Sequence, residues 1–146
     1  MSSSPPDPGG GLAALSRLER RLLPRALLTV VLASVRLRAT GLERTQRRMA
    51  GPDRPVPPDA DERAAASTRV VWAVIRRLPY ARTCLPRSVA LWALLRRQGI
   101  DSEVVIGVRP GGAPLDAHAW VERGGVPLNE RADIVATYAR MEPGTA

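Results

Sequence analysis

Lysine and phenylalanine are missing from this chain, and cysteine and histidine occur once each. A single thiol closes no internal disulfide, so no oxidative staple holds the fold. One Cys and one His also fall short of a zinc ligand set, and no metal or other cofactor is expected. The aromatic complement is three Trp and two Tyr. The arginines fall in pairs along helical stretches instead of interleaving with aromatic rings, which weighs against nucleic acid as a partner. The longest apolar stretch, residues 26–35, is about half the length a membrane span needs. The start of the chain is rich in Ser, Pro and Gly and lacks the basic-then-apolar order of a secretory signal, so a cytoplasmic protein is expected.

Positive charge is in excess. All 22 basic residues are Arg, against 14 acidic ones, for a formal charge of +8. A GC-rich genome accounts for that bias as well as any demand for guanidinium chemistry. The excess favours an acidic partner, such as an acidic peptide or an anionic surface. The pairs Arg20-Arg21, Arg47-Arg48, Arg76-Arg77 and Arg96-Arg97 read first as solvated helix faces, with an acidic partner as the sharper alternative. At 146 residues the chain has room for one core.

Residues 1–11 read as a disordered tail and 12–50 as a helical N-terminal segment. Leu15, Leu18, Leu22 and Leu23 share one face there, opposite Arg17, Glu19, Arg20 and Arg21. Pro24 is expected to end or kink this helix, giving two pieces. The second, residues 25–37, is the more apolar and either docks on the core or offers a greasy face to a partner. Residues 51–61 contain four prolines and read as a linker. A core spanning 62–146 follows. It opens with a helix over 61–78 whose stripe is Val70, Val71, Val74, Ile75 and Leu78, stopped by Pro79.

A turn at 80–83 leads to a helix from Cys84 to about Gln98, terminated by Gly99. Its residues 89–95 are all apolar and cover the whole circumference, which marks a central, buried helix. Beyond it the period changes to strands at 103–108, 115–122 and 126–129, with Arg109-Pro-Gly-Gly as a loop and Gly124-Gly125 as a tight hairpin signal. A last helix is expected over 132–141. Helices first and an antiparallel sheet last indicate α+β.

Cys84 and His118 sit in these ordered segments, one at a helix start and one on a strand. A thiol at a helix N-terminus feels the positive end of the macrodipole, and the free amides there stabilise a thiolate. Pro86 suits a first turn, where no amide hydrogen is needed, and the remaining amides could hold an oxyanion. His118 shares its strand face with Trp120, opposite Ala117, Ala119 and Val121. Each residue has a plainer reading, Cys84 as a small buried hydrophobe and His118 as a satisfied core residue. Together they form a nucleophile and its general base. A third group must orient the imidazole, and Asn129, Glu130 and Asp133 follow on the next strand or a turn later. Asp116 and Glu122 share the His118 face, but on its own strand, where contact with the ring is awkward.

The segments Cys84-Leu-Pro-Arg-Ser-Val-Ala-Leu-Trp-Ala-Leu-Leu-Arg-Arg-Gln-Gly99, Val105-Ile-Gly-Val-Arg109, Ala117-His-Ala-Trp-Val-Glu122 and Leu128-Asn-Glu130 resemble the lasso-peptide biosynthesis B protein family. The chain is similar to its stand-alone leader-peptidase form, with motif likeness over about residues 65–140. The resemblance implies a transglutaminase-like, papain-related core, in which a buried Cys-bearing helix packs on a small antiparallel sheet. It implies a cysteine protease that removes the leader from a ribosomally made precursor peptide. A separate leader-recognition protein would deliver that precursor, and an ATP-dependent macrolactam cyclase would act on the freed amine. Cys84 matches the family nucleophile and His118 its base. The family shows Asp where this chain has Glu130, with Asn129 and Asp133 as alternates for the third member. Arg87 and Ser88 match the pattern after the cysteine, with an implied role in holding the helix start. The same core could instead transfer an acyl group to an amine, or serve as a non-catalytic partner-binding module.

Overall fold

The computed structural model describes residues 14–78, 83–111 and 116–141. The expected tail at 1–11, Pro79, all but Thr83 of the turn at 80–83, and Leu115 lie outside the described residues. The first helix, α1 (Arg17–Met49), opens on a capping box. The Ser16 hydroxyl accepts from the Glu19 amide at 3.2 Å, and the Glu19 carboxylate accepts from the Ser16 amide at 2.7 Å. Glu19 is buried, and Arg69 of α2 (Ala60–Ile75) pairs with it. Burial alone would raise the Glu19 carboxyl, but the Arg69 and Ser16 hydrogen bonds hold it below its ordinary value.

The break expected at Pro24 falls elsewhere. Pro24 lies inside α1 on an exposed position, and the helical backbone is interrupted at Gly41 (φ 79°, ψ 177°). A proline inside a helix costs about 3 kcal/mol. Leu22, Ala26, Val30 and Ala33 are fully buried on either side of it, and burying a large aliphatic side chain is worth about 1.5–3 kcal/mol. Packing therefore carries the helix through. The segment 25–37 contributes to the core and also leaves Leu27, Leu28 and Val35 exposed. Both faces anticipated for it exist.

Helix α3 (Cys84–Arg96) is the hub. Every residue from Val89 to Leu95 is buried, and α3 packs against α1, α2 and β2 (Ala117–Arg123). The helix stops where expected, at Gly99, which takes φ +81°. A Cβ at Gly99 would stand 2.2 Å from the Pro55 carbonyl oxygen. The extended stretch after α1 crosses the end of α3 at this point, tied by Arg96 to the Ala50 carbonyl at 2.9 Å and to Asp53 at 3.1 Å.

The sheet is antiparallel in the order β3-β2-β1-β4, with β1 (Glu103–Val108) facing β2 in the register Val105↔Trp120 and Gly107↔His118. Gly124 and Gly125 turn the chain with positive φ at both positions, as a two-residue hairpin requires. β3 (Val126–Pro127) is shorter than expected: the Leu128 amide makes one further bond, to the Val121 carbonyl at 2.9 Å, and the chain then leaves the ladder. The last helix is also shorter. Only α4 (Ile134–Thr137) is helical, and Ala139 and Arg140 form β4 (Ala139–Arg140), paired with Val108 and Gly107. The free edge of β1 offers backbone partners that a continued helix would leave unused. The fold is α+β, with a helical N-terminal part and a four-stranded sheet. Among the described residues, no helix is long and apolar enough to cross a membrane.

Gly99→Ala combines positive φ with a clash against backbone, so a loss on the order of 2 kcal/mol or more is expected. Urea unfolding checks it, and an unchanged midpoint would show that the Pro55 segment does not rest on this helix end.

Candidate active site

Strand β2 is covered by β1 along most of its length, but β3 pairs only with Glu122 and Arg123. On the β3 side the Leu128 amide still reaches the Val121 carbonyl at 2.9 Å, but the Val121 amide and the backbone groups of Ala119 have no strand partner, and buried polar groups without partners are costly. Side chains take the vacant places. The Ala119 amide donates to the sulfur of Cys84. Ser88 Oγ donates to the Ala119 carbonyl at 3.1 Å. The Val121 amide donates to Asn129 Oδ1 at 2.8 Å, and Asn129 Nδ2 donates to Ser88 Oγ at 3.3 Å. Cys84 and Ser88 are four residues apart, so they share one face of α3. The helix start is thus docked on the open edge of the strand that carries His118.

That docking brings the predicted pair together. His118 hydrogen-bonds with Cys84, and its Nε2 lies 2.7 Å from Glu130 Oε1. Because Nε2 is engaged by Glu130, Nδ1 is the ring nitrogen left for the sulfur. Cys84 is half-buried. The side chains of His118 and Glu130 are 18% and 5% exposed, so one edge of the imidazole is reachable while its carboxylate partner is not.

The electrostatics favour an ion pair. His118 is raised to about 9, first by its hydrogen bond to Cys84 and then by the one to Glu130, against the opposing effect of burial. Burial pushes the Cys84 thiol up, but the His118 hydrogen bond, the Ala119 amide and the charges of His118 and Arg87 outweigh it, and the net result is a lowered thiol. Thiolate and imidazolium therefore coexist between those two limits, titrating as a coupled pair. Thr83 caps α3 without a side-chain hydrogen bond. The Cys84 amide, in the first turn, has no acceptor within the helix and is placed to receive an oxyanion.

The other candidates are elsewhere. Asn129 clamps β2 to α3 and does not orient the imidazole. Asp133 is exposed and pairs with Arg131 at 3.6 Å. Asp116 accepts from the Tyr138 hydroxyl at 3.3 Å and pairs with Arg109. Glu122 accepts from Trp120 Nε1 at 2.9 Å and pairs with Arg140. Of the residues considered for the third position, Glu130 is the one in contact with His118.

Several contacts go beyond the sequence reading, which gave Arg87 only a role in holding the helix start. Arg87 Nη2 donates to Glu130 Oε1 at 2.8 Å, and its guanidinium lies 4.6 Å from the Trp72 ring. Its position three residues after Cys84, on the same helix face, is the signal that could have found it. Tyr138 and Trp120 flank the imidazole, with ring centroids 5.4 and 6.2 Å away. Gly107, opposite His118 in the register, leaves room for them, since a Cβ there would stand 2.7 Å from the Trp120 ring and 2.8 Å from Tyr138 Cβ. Nothing local in the sequence announces Tyr138, because β4 brings it there. Among the described residues, no group of three or more His, Cys, Asp or Glu could hold a metal ion.

An α+β fold with cysteine at a helix start, histidine on the adjoining strand and a buried carboxylate behind it has the layout of a thiol acyl-transfer site. The chain belongs to the transglutaminase-like superfamily, whose family model matches residues 17–142. No curated protein and no solved structure matches it significantly.

With one cysteine in the chain, alkylation by iodoacetamide reports Cys84 alone. Its rate is expected to rise through a pKa below that of an ordinary thiol, and kcat/KM for any acyl substrate to fall as pH climbs through about 9, where His118 loses its proton. An alkylation profile with an ordinary thiol midpoint would contradict the ion pair. Glu130→Gln removes the carboxylate behind the ring, so the alkaline limb should move toward the unperturbed histidine value. Alkylation at neutral pH should slow by roughly tenfold, the effect of about one pKa unit on the thiolate fraction. A variant indistinguishable from wild type would remove Glu130 from the site.

Proposed function

We propose that this protein is a cysteine peptidase that removes the leader from a ribosomally made lasso-peptide precursor in the cytoplasm. The observation carrying this reading is the continuous path from Cys84 through His118 to buried Glu130, at the amide-rich start of α3. The motif resemblance around Cys84, His118 and Glu130 supplies the substrate class.

The chemistry follows from the geometry. The Cys84 thiolate attacks the carbonyl carbon at the leader–core junction, and the oxygen takes the negative charge facing the Cys84 amide. His118, protonated at Nδ1, gives that proton to the leaving amine nitrogen as the C–N bond breaks, leaving the leader as a thioester on Cys84. Neutral His118 then removes a proton from water, hydroxide displaces sulfur, and the leader acid departs. Thiolate and imidazolium are restored. Glu130 accepts from Nε2 and holds the ring in the tautomer that directs Nδ1 to the sulfur. A separate leader-recognition protein delivers the precursor, and an ATP-dependent macrolactam cyclase closes the ring on the amine released here.

The test is cleavage of a precursor peptide, with and without its recognition protein, read by mass spectrometry. Wild type should release leader and core, and Cys84→Ala should lose at least about a thousandfold in kcat. Products carrying an added amine in place of water would move the assignment to acyl transfer. Equal cleavage by Cys84→Ala would reject the thiol mechanism, and an ordinary, slow thiol with no turnover would leave a binding module.

A further inference from the structure

At the far end of α3 from Cys84, a cavity of about 400 Å³ opens between α1, the stretch following it and the last turn of α3. Arg25, Arg54 and Arg97 line it, one from each of these segments, together with Leu28 of α1. None of the three guanidiniums has an ion-pair or hydrogen-bond partner among the described residues. The one nearby carboxylate, Asp53, is taken by Arg96 at 3.1 Å.

Arginines without an acid also lie on the exposed helix faces, such as Arg17, Arg21, Arg44, Arg48, Arg76 and Arg77, while Arg63, Arg69, Arg87, Arg109, Arg123 and Arg140 are paired. What sets Arg25, Arg54 and Arg97 apart is that they converge on one cavity. Three like charges drawn to one concavity repel each other, and low-dielectric walls strengthen their field on anything that enters. Leu28 at this cavity is 58% exposed. A mixed surface of guanidinium and aliphatic carbon suits a ligand with carboxylates beside an apolar side chain better than a bare inorganic anion.

We propose that this cavity is an exosite for an acidic segment of the peptide substrate, holding carboxylates on Arg25, Arg54 and Arg97 and an apolar side chain against Leu28. Its identification as a substrate site rests on the peptidase reading above. Leu94 and Arg97 lie ten and thirteen residues beyond Cys84. At about 1.5 Å per helical residue the exosite is roughly 15–20 Å from the nucleophile. An extended chain covers that in about five or six residues. The acidic segment therefore lies at least that far from the scissile bond. Anchoring there raises the local concentration of the cleavage site at Cys84 without touching the chemistry.

Binding is measured on the full chain carrying Cys84→Ala, by fluorescence anisotropy. The probes are a labelled peptide with several Glu flanking a Leu, and the same peptide with Gln for Glu. The Glu peptide should bind roughly tenfold or more tightly than its Gln counterpart and weaken as salt is raised. Adding Arg25→Gln, Arg54→Gln and Arg97→Gln should erase the difference; these side chains are exposed, so an unchanged thermal midpoint confirms the fold. In the active enzyme the same three changes should raise KM roughly tenfold for a substrate bearing the acidic segment and leave kcat alone. Equal affinity for both peptides, or no effect of the triple change, overturns the exosite. Duplex DNA binding more tightly through the same arginines overturns the peptide assignment. Because the binding assay involves no turnover, failure of the peptidase reading and failure of the exosite give different results.

Discussion

The site depends on a strand that ends early. β3 leaves the sheet after two residues, and the edge of β2 it would have covered is taken by the first turn of α3. Cys84 receives the Ala119 amide, Ser88 reaches the Ala119 carbonyl, and Asn129 answers the Val121 amide. These contacts satisfy backbone groups that would otherwise be buried and unpaired, and the same contacts bring the thiol to the strand that carries His118. A longer β3 would have paired Ala119 with backbone and kept the thiol away from the strand carrying His118. The same amide that secures the helix also stabilises the thiolate, which makes the ionisation of Cys84 a consequence of how α3 is docked.

Features governed by local sequence were legible. The unbroken apolar run from Val89 to Leu95 announced a helix buried on all sides, and α3 is that helix. Gly99 and the Gly124-Gly125 pair marked turns because each position requires positive φ. Features decided by tertiary pairing were not. Pro24 carried a local penalty that burial of Leu22, Ala26 and Val30 overrode, while Gly41 took the break. Residues 139 and 140 continue an acceptable helical pattern, yet the free edge of β1 draws them into β4. In the site, the thiol and imidazole stood out by being alone of their kind. The third position did not, because Asn129, Glu130 and Asp133 follow β3 without periodic structure to fix their directions. Only the clamp on Val121, which uses Asn129, orients the next residue toward the ring.

Two groups of arginines stand out once the fold is known. One group balances buried carboxylates: Arg69 on Glu19, Arg140 on Glu122 and Arg87 on Glu130. Each of these acids is nearly solvent-free, and a buried carboxylate without a partner is costly. The other group, Arg25, Arg54 and Arg97, faces a concavity with no acid to meet. Fold stability accounts for the first group and gives no reason for the second. Net charge alone could not separate them; the distinction comes from where the fold places each guanidinium, against a buried carboxylate or around a cavity.

Arg87 shows how far the support of the nucleophile extends. A single oxygen of Glu130 accepts from both His118 at 2.7 Å and Arg87 at 2.8 Å, so the carboxylate is fixed by a cation on one side and the imidazole on the other. Glutamate has one more methylene than aspartate and therefore one more rotatable bond to immobilise. The guanidinium supplies that restraint, and Trp72 of α2 covers it at 4.6 Å. The Arg87 charge also lowers the Cys84 thiol directly. An uncharged residue at 87 would release the carboxylate and weaken the thiolate at once, two effects that both reduce the ion pair. The helix that carries the nucleophile thus carries the counter-ion for the residue orienting its base, so Cys84, His118 and Glu130 are positioned from one rigid element.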